Sequence, residues 1–223
     1  MPRSRAVSPT QKDARRAAIL RAAADLFQNA PYDQILMQQI ADRAGLAKGT
    51  LFLYFDSKEH LFLALTVETL QRWLTDLCAD LRAAAPPLMT LAFTRVVERS
   101  LRRQPAAGGQ PLLLRLLSLH PHRLAEALTP NAVNDLTDPL RSSIDTAAEL
   151  IEHSLPYLQP GQGEMIVRRT LALLIGLPGT TILSPAAETA PDAFGELGAV
   201  LNLQLYALET LHRRKSAASA TAN

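Results

Sequence analysis

The chain has 223 residues, 48% of them apolar and 20% charged, with a formal net charge of only +2. That size and apolar content suit one large domain, or a small one joined to a larger one, and exclude wholesale disorder. With Cys78 as its single cysteine, the chain can form neither an intramolecular disulfide nor a thiolate zinc cluster.

Residues 1–11 read as a disordered tail, and charge gathers at this end. Arg3, Arg5, Lys12, Arg15, Arg16 and Arg21 stand against Asp13 alone, a local net charge of +5. Such an end suits an anionic partner, nucleic acid first and membrane surface second, although a solubilising tail has the same composition. MPRSRAVSPT is followed by no apolar stretch, so it does not read as a signal peptide. From 12 to 29, apolar positions at Ile19, Ala23, Leu26 and Phe27 predict an amphipathic helix ending near Asn29-Ala30-Pro31. A short helix fits 36–44, with Met37, Ile40, Ala41 and Ala44 on one face. Gly45 then stands where a helix terminus needs the left-handed conformation. A second short helix fits 47–54, with Leu51 and Phe55 facing inward. Asp56-Ser57-Lys58-Glu59 has capping-box spacing and opens a long helix to about Leu81.

Beyond it, AAAPP (83–87) and QPAAGGQP (104–111) flank a helix over 88–103. Residues 112–119 predict a short apolar helix, and Pro130 and Pro139 interrupt a stretch that continues as helix to about Leu155. After the QPGQG turn, a helix runs into Gly176 and a kink at Pro178. The uncharged run from Thr170 is too short and too broken by Gly176, Pro178 and Gly179 to span a bilayer, so no membrane partner and a cytoplasmic location are expected. A last helix covers 192–214, and 215–223 reads as a disordered tail. Sparse β-branched residues and no sustained period-two alternation make the fold all-α.

A helix, a glycine turn and a short second helix form a helix-turn-helix, whose second helix enters a DNA major groove. Gly49 in the first turn of that helix lets the backbone approach phosphate, and the free N–H groups there favour an anion. Thr50, Tyr54 and Lys58 add donors along one edge. Arg15 and Arg16 suit backbone phosphate, and Gln38 and Gln39 suit either DNA or a solvated face. Phe52 reads as packing against the recognition helix, with a thymine methyl as its alternative neighbour.

By these residues the sequence resembles the N-terminal DNA-binding domain of the TetR family of transcriptional repressors. The resemblance runs without gaps from Arg16 to Leu65. It rests on the 19–27 helix, Ile40-Ala41, Ala44-Gly45, Gly49-Thr50-Leu51, Tyr54-Phe55 and Ser57-Lys58-Glu59-x-Leu61. It implies a helix-turn-helix domain over 12–60 (motif about 35–54) and a regulatory and dimerisation domain over 61–214. It also implies DNA contacts by Gln38, Ala47, Lys48, Gly49, Thr50, Phe52, Tyr54 and Lys58. The family pattern is broken at Ala30-Pro31-Tyr32, where a Gly-Tyr or Gly-Phe turn is usual. Ile35 and Leu36 replace threonines, Ala47 a serine and Phe52 a tyrosine. Phosphate-binding hydroxyls are thereby lost, which shifts affinity toward charge.

Other residues read as structural. Cys78 suits a small buried hydrophobe, His120 and His122 a surface loop, and Trp73 and Met89 core packing or a cavity wall. His153, Glu149 and Glu152 make no acid/base constellation. No nucleophile elbow, phosphate loop or metal motif is present, so neither an enzyme nor a cofactor is indicated.

The last helix is apolar on two faces. Leu197, Leu201, Leu208 and Leu211 serve the core, and Val200, Leu203 and Ala207 need a partner. With Leu171, Leu174 and Ile175 of the preceding helix, they predict a four-helix homodimer interface, against a buried central helix in a monomer. Together with the resemblance, the sequence describes a homodimeric repressor that binds double-stranded operator DNA and is released by a small, mostly apolar inducer held in a cavity between the fourth and about the eighth helices. A ligand-independent DNA-binding dimer and a helical adaptor without DNA binding are the alternatives.

Overall fold

The computed structural model describes residues 9–104, 106–107, 110–180 and 192–221. Among the described residues there are ten α-helices: α1 (Pro9–Asn29), α2 (Met37–Arg43), α3 (Lys48–Phe52), α4 (Lys58–Ala83), α5 (Thr90–Arg102), α6 (Leu112–Leu117), α7 (Pro121–Glu126), α8 (Pro130–Ser154), α9 (Gln162–Thr180) and α10 (Ala193–Thr221). A 3-10 turn at Tyr32–Gln34 precedes α2, and two-residue strands β1 (Ala106–Ala107) and β2 (Gln110–Pro111) pair antiparallel. That ladder lies in the expected break at 104–111 and leaves the all-α class intact.

The helices pack around two apolar clusters. The first gathers Ile19, Ala23 and Phe27 of α1, Ile40 and Ala41 of α2, Leu51 of α3, Phe55, and Leu61–Leu65 of α4. The second is built on α4, α5, α8, α9 and α10 around Trp73, Leu77, Leu81, Phe93, Leu101, Ile151, Leu174 and Leu197. α4 runs through both. α6 joins them as well: Leu112 and Leu116 sit in the first, Leu113, Leu114 and Leu117 in the second.

Several expectations are corrected. α1 begins at Pro9, so residues 9–11 are helical rather than tail, and α10 continues as helix through 215–221. Pro139 does not interrupt α8, and α9 carries on past Pro178 to Thr180. Pro130 occupies the first turn of α8, where its missing N–H has no helical partner to lose. The α4 cap is Ser57, whose Oγ accepts the His60 N–H at 3.0 Å, not Asp56. On α10 the core positions are Phe194, Leu197, Leu201 and Leu205; Leu208 is half-buried and Leu211 is 54% exposed. Leu174, assigned above to a dimer interface, is 0% exposed within the chain's own core.

α8 and α9 approach closely at Gly163, whose N–H donates to Glu152 Oε1 at 2.9 Å. A Cβ there would overlap the backbone carbonyl of Ala148. Because backbone cannot step aside as a side chain can, Gly163→Ala should destabilise the fold by about 2–3 kcal/mol, read as a fall in the urea midpoint. An unchanged midpoint would show that the crossing tolerates a methyl group.

Candidate nucleic-acid interface

The motif is built from local chain chemistry. Leu36 N–H donates to Gln39 Oε1 at 2.8 Å, but Leu36 has no side-chain acceptor to return a bond. Only half of a capping box therefore starts α2. Its end is complete. Gly45 takes φ +68°, and the N–H groups of Leu46 and Gly45 reach back to the carbonyls of Ala41 (2.9 Å) and Asp42 (3.1 Å). That pair of bonds is the Schellman termination, which needs a residue free to be left-handed at the corner. α3 follows after Ala47 and is pinned by Leu51, fully buried, and by Phe55 behind it.

Pinning the far side leaves the near side free. Ala47, Lys48 and Gly49 are exposed, and beyond its chain neighbours and its own helix backbone nothing lies within 4 Å of where a Gly49 side chain would begin. Thr50 and Tyr54 are half-buried, Tyr54 against the first cluster. Phe52 is 38% exposed, with the ammonium of Lys48, on the same helix, 5.9 Å from its ring centre. Leu53, at 80% exposed, was missed in the sequence, although an apolar residue out of phase with Leu51 and Phe55 was a usable signal. Gln38 is exposed and donates to Asp42 Oδ1 at 2.7 Å, while Gln39 is spent on the α2 cap.

Lys58 is half-buried rather than a free donor. Its ammonium sits 4.0 Å over the Tyr32 ring, and burial lowers its pKa against the opposing pull of Asp33 and Glu59. Tyr32 donates to Glu59 Oε1 at 3.1 Å and meets Phe62 edge-on at 4.9 Å. Tyr32 thus fastens the connection after α1 to the start of α4. Arg15 is exposed on α1, whereas Arg16 is drawn toward Glu68 (3.5 Å) and the Phe55 ring (5.7 Å). Arg43 and Asp25 join α2 to α1 at 3.1 Å.

His60 lies beneath the α3–α4 corner, edge-on to Phe55, accepting the Asp56 N–H at Nδ1. Burial, then Arg16, push its pKa down, with Asp56 opposing. The unfolded chain therefore binds this proton more readily than the folded one. Stability should fall as pH drops below about 6.5, the unfolded range, and level off below the folded value. His60→Gln should flatten that limb of a thermal-midpoint profile; an identical limb in the variant would assign it to another group.

The remaining candidates fall outside this site. Cys78 is buried, which raises its thiol pKa. Trp73 is core, its Nε1–H on Ser100 Oγ at 3.1 Å, and Met89 is 79% exposed. His120 and His122 are exposed with ring centres 5.7 Å apart, and no group of three metal-ligating side chains occurs among the described residues. Trp73, Leu77 and Leu81 of α4 and Ile151 of α8 are buried together in the second cluster. The described hollows are open grooves, one of about 510 Å³ between α5 and α10 and one of about 250 Å³ between α8 and α9. No described helix is long and apolar enough to cross a membrane.

Known proteins share this arrangement. Residues 19–65 match the family described as bacterial regulatory proteins, tetR family, and residues 67–200 match the tetracyclin repressor-like C-terminal domain. The HTH-type transcriptional regulator RutR of Escherichia coli is 36% identical over 149 residues, which are 67% of this chain and 63% of that protein, under two thirds of its length. The HTH-type transcriptional activator FasR of Mycolicibacterium smegmatis is 40% identical over 73 residues, 33% of this chain and 32% of that one. In fold, the crystal structure of the TetR family repressor AlkX from a Dietzia species superposes with a TM-score of 0.58 at 16% identity, covering 91% of this chain and 96% of that one. The matched family and relatives are regulators, not enzymes. With the two matches together running from residue 19 to 200 over the helix-turn-helix and the helical body behind it, the chain belongs to the TetR family of bacterial regulatory proteins.

Proposed function

We propose that the chain is a cytoplasmic, homodimeric transcriptional regulator that holds double-stranded operator DNA through α3 and leaves it when a small, mostly apolar ligand binds. The observation that carries the DNA reading is the two-sidedness of α3. Leu51 is fully buried while Ala47, Lys48 and Gly49, at the N-terminal end, are exposed. Bare N–H groups, an ammonium and a missing side chain at a helix N-terminus suit a phosphate, and the protruding end suits a major groove. To the same DNA-binding surface this reading assigns Gln38, Thr50, Phe52, Tyr54 and Lys58. The DNA-binding unit takes residues 12–60 with the start of α4, and the regulatory unit the rest to 214.

A gel shift on the DNA upstream of the gene tests this: a shift that weakens steeply with salt supports it, and none at low salt overturns it. Thr50→Ala or Lys48→Ala should cost about 1–3 kcal/mol, more on operator than on random DNA if the residue reads a base. Lys58→Ala should weaken both DNAs alike and lower the salt slope by roughly one phosphate's worth. Because Lys58 also covers Tyr32, a small fall in melting temperature should accompany it.

The dimer reading rests on α10, where Val200, Leu203 and Ala207 are exposed, with half-buried Leu171 and Ile175 on α9. The ligand reading rests on the match to a regulatory domain and on the α8–α9 groove, floored by Leu140, Ile144, Val167 and Leu171 between Arg141 and Arg168. Ligand and operator must weaken each other by the same factor. A ligand whose affinity is unmoved by operator DNA would leave a ligand-independent DNA-binding dimer.

A further inference from the structure

His60 stands where α3 hands over to α4. Its backbone N–H donates to Oγ of the Ser57 cap at 3.0 Å, and its ring Nδ1 accepts the Asp56 N–H at 3.4 Å. This is a capping box whose return bond falls one residue earlier than usual. The usual side chain at that position is Glu or Gln, whose oxygen accepts a hydrogen bond throughout the neutral range. Here the acceptor is an imidazole nitrogen, so the bond lasts only while the ring is neutral with its proton on Nε2. The same ring meets Phe55 edge-on at 5.4 Å, and Phe55, 1% exposed, pins the end of α3. One side chain thus holds both the backbone of the corner and the ring behind the recognition helix.

Protonation reverses the bond. Nδ1 becomes a donor, the Asp56 N–H loses its partner, and the new N–H calls for the Asp56 carboxylate, whose Oδ2 lies 3.9 Å away on a 90% exposed side chain. Closing that gap turns the corner, and Phe55 is the adjoining residue. The charges that act on His60 are Asp56 and Arg16 of α1, which is drawn to Glu68 and lies 5.7 Å from the Phe55 ring. Lys58 and Glu59, beside it on α4, are engaged with Tyr32. Lys48 of α3 lies toward Phe52, and Arg43 of α2 pairs with Asp25. Resting on the DNA reading above, we propose that His60 is a positioning residue that keeps α3 seated for operator DNA only while its ring is neutral, so that acid releases the operator. Burial, then Arg16, lowers the His60 pKa with Asp56 opposing, so the ring is neutral at pH 7 and operator affinity is lost only below about pH 6.5. By linkage the operator holds the ring neutral in turn, and a dimer has one such ring in each subunit.

The test is a pH profile of operator affinity on the full chain at constant ionic strength, with circular dichroism confirming the fold at each pH. The wild-type dissociation constant should rise about tenfold between about pH 7.5 and about pH 5.5. His60→Gln keeps an acceptor for the Asp56 N–H but cannot titrate. It should bind within about threefold of wild type at the upper pH and change by less than about twofold across the range. His60→Ala has no acceptor at any pH, so it should bind more weakly throughout and be equally flat. In wild type free of DNA, the backbone amide resonances of α3 should shift with the same midpoint as the His60 ring. A flat wild-type profile, a glutamine variant with the wild-type profile, or α3 amides that stay still while the ring titrates would each overturn the role of His60. Absence of operator binding at the upper pH would instead overturn the DNA reading itself.

Discussion

Leu203→Asp is expected to give monomers that keep their helical content and lose operator affinity by at least about a hundredfold. Leu203 is 71% exposed and has no part in either apolar cluster, so its replacement leaves the folded chain intact. In a dimer joined through this face of α10 the change buries a carboxylate from each subunit in an apolar interface. Unpaired buried charges cost several kcal/mol, which opposes association through this face. A monomer grips one half-site, and the second half-site is no longer held close by the first. Sedimentation and a gel shift read the two consequences separately. A dimeric variant with undiminished affinity would remove Leu203, and with it this face of α10, from the interface.

The DNA-binding end was legible in the sequence because its signals are local. Gly45 terminates α2 by its own backbone freedom, Leu51 and Phe55 fall four apart, and Ser57 caps α4 within three residues. The regulatory end was harder, because burial there is decided by distant helices. Leu171, Leu174 and Ile175 look alike in an apolar run, yet Leu174 alone is fully enclosed. On α10 the period was right, but the phase drifted by the last turns, so Leu205 was missed and Leu211 misplaced. Lys58 could not have been paired with Tyr32 by spacing, since 26 residues separate them. Neither could the divided loyalty of α6, which shows only once both cores exist.

α6 leads to the other large effect. Arg115 reaches from it to the C-terminal end of α1, where Nη1 donates to Gln28 O at 2.9 Å and Nη2 lies 3.5 Å from Ala30 O. Its guanidinium also covers the Phe27 ring at 4.6 Å. A helix C-terminus presents unpaired carbonyls at the negative end of its dipole, so one cation there satisfies hydrogen-bonding and charge together. Leu112 and Leu116, on either side of Arg115, are buried in the same DNA-binding cluster. α1 is therefore tied to the regulatory body by one cation and two leucines. Arg115→Ala removes the tie without opening the regulatory core. It should cost about 2–3 kcal/mol, from charge-assisted hydrogen bonds at a half-buried site and the lost ring contact. The loss should be uneven: faster hydrogen exchange at the end of α1, weaker operator binding, and an unchanged dimer dissociation constant. Arg115→Lys keeps the charge but not the fork, so it should recover only part of the affinity. If the alanine variant binds operator as tightly as wild type, α1 is held by its own packing against α2 and α4 rather than by Arg115.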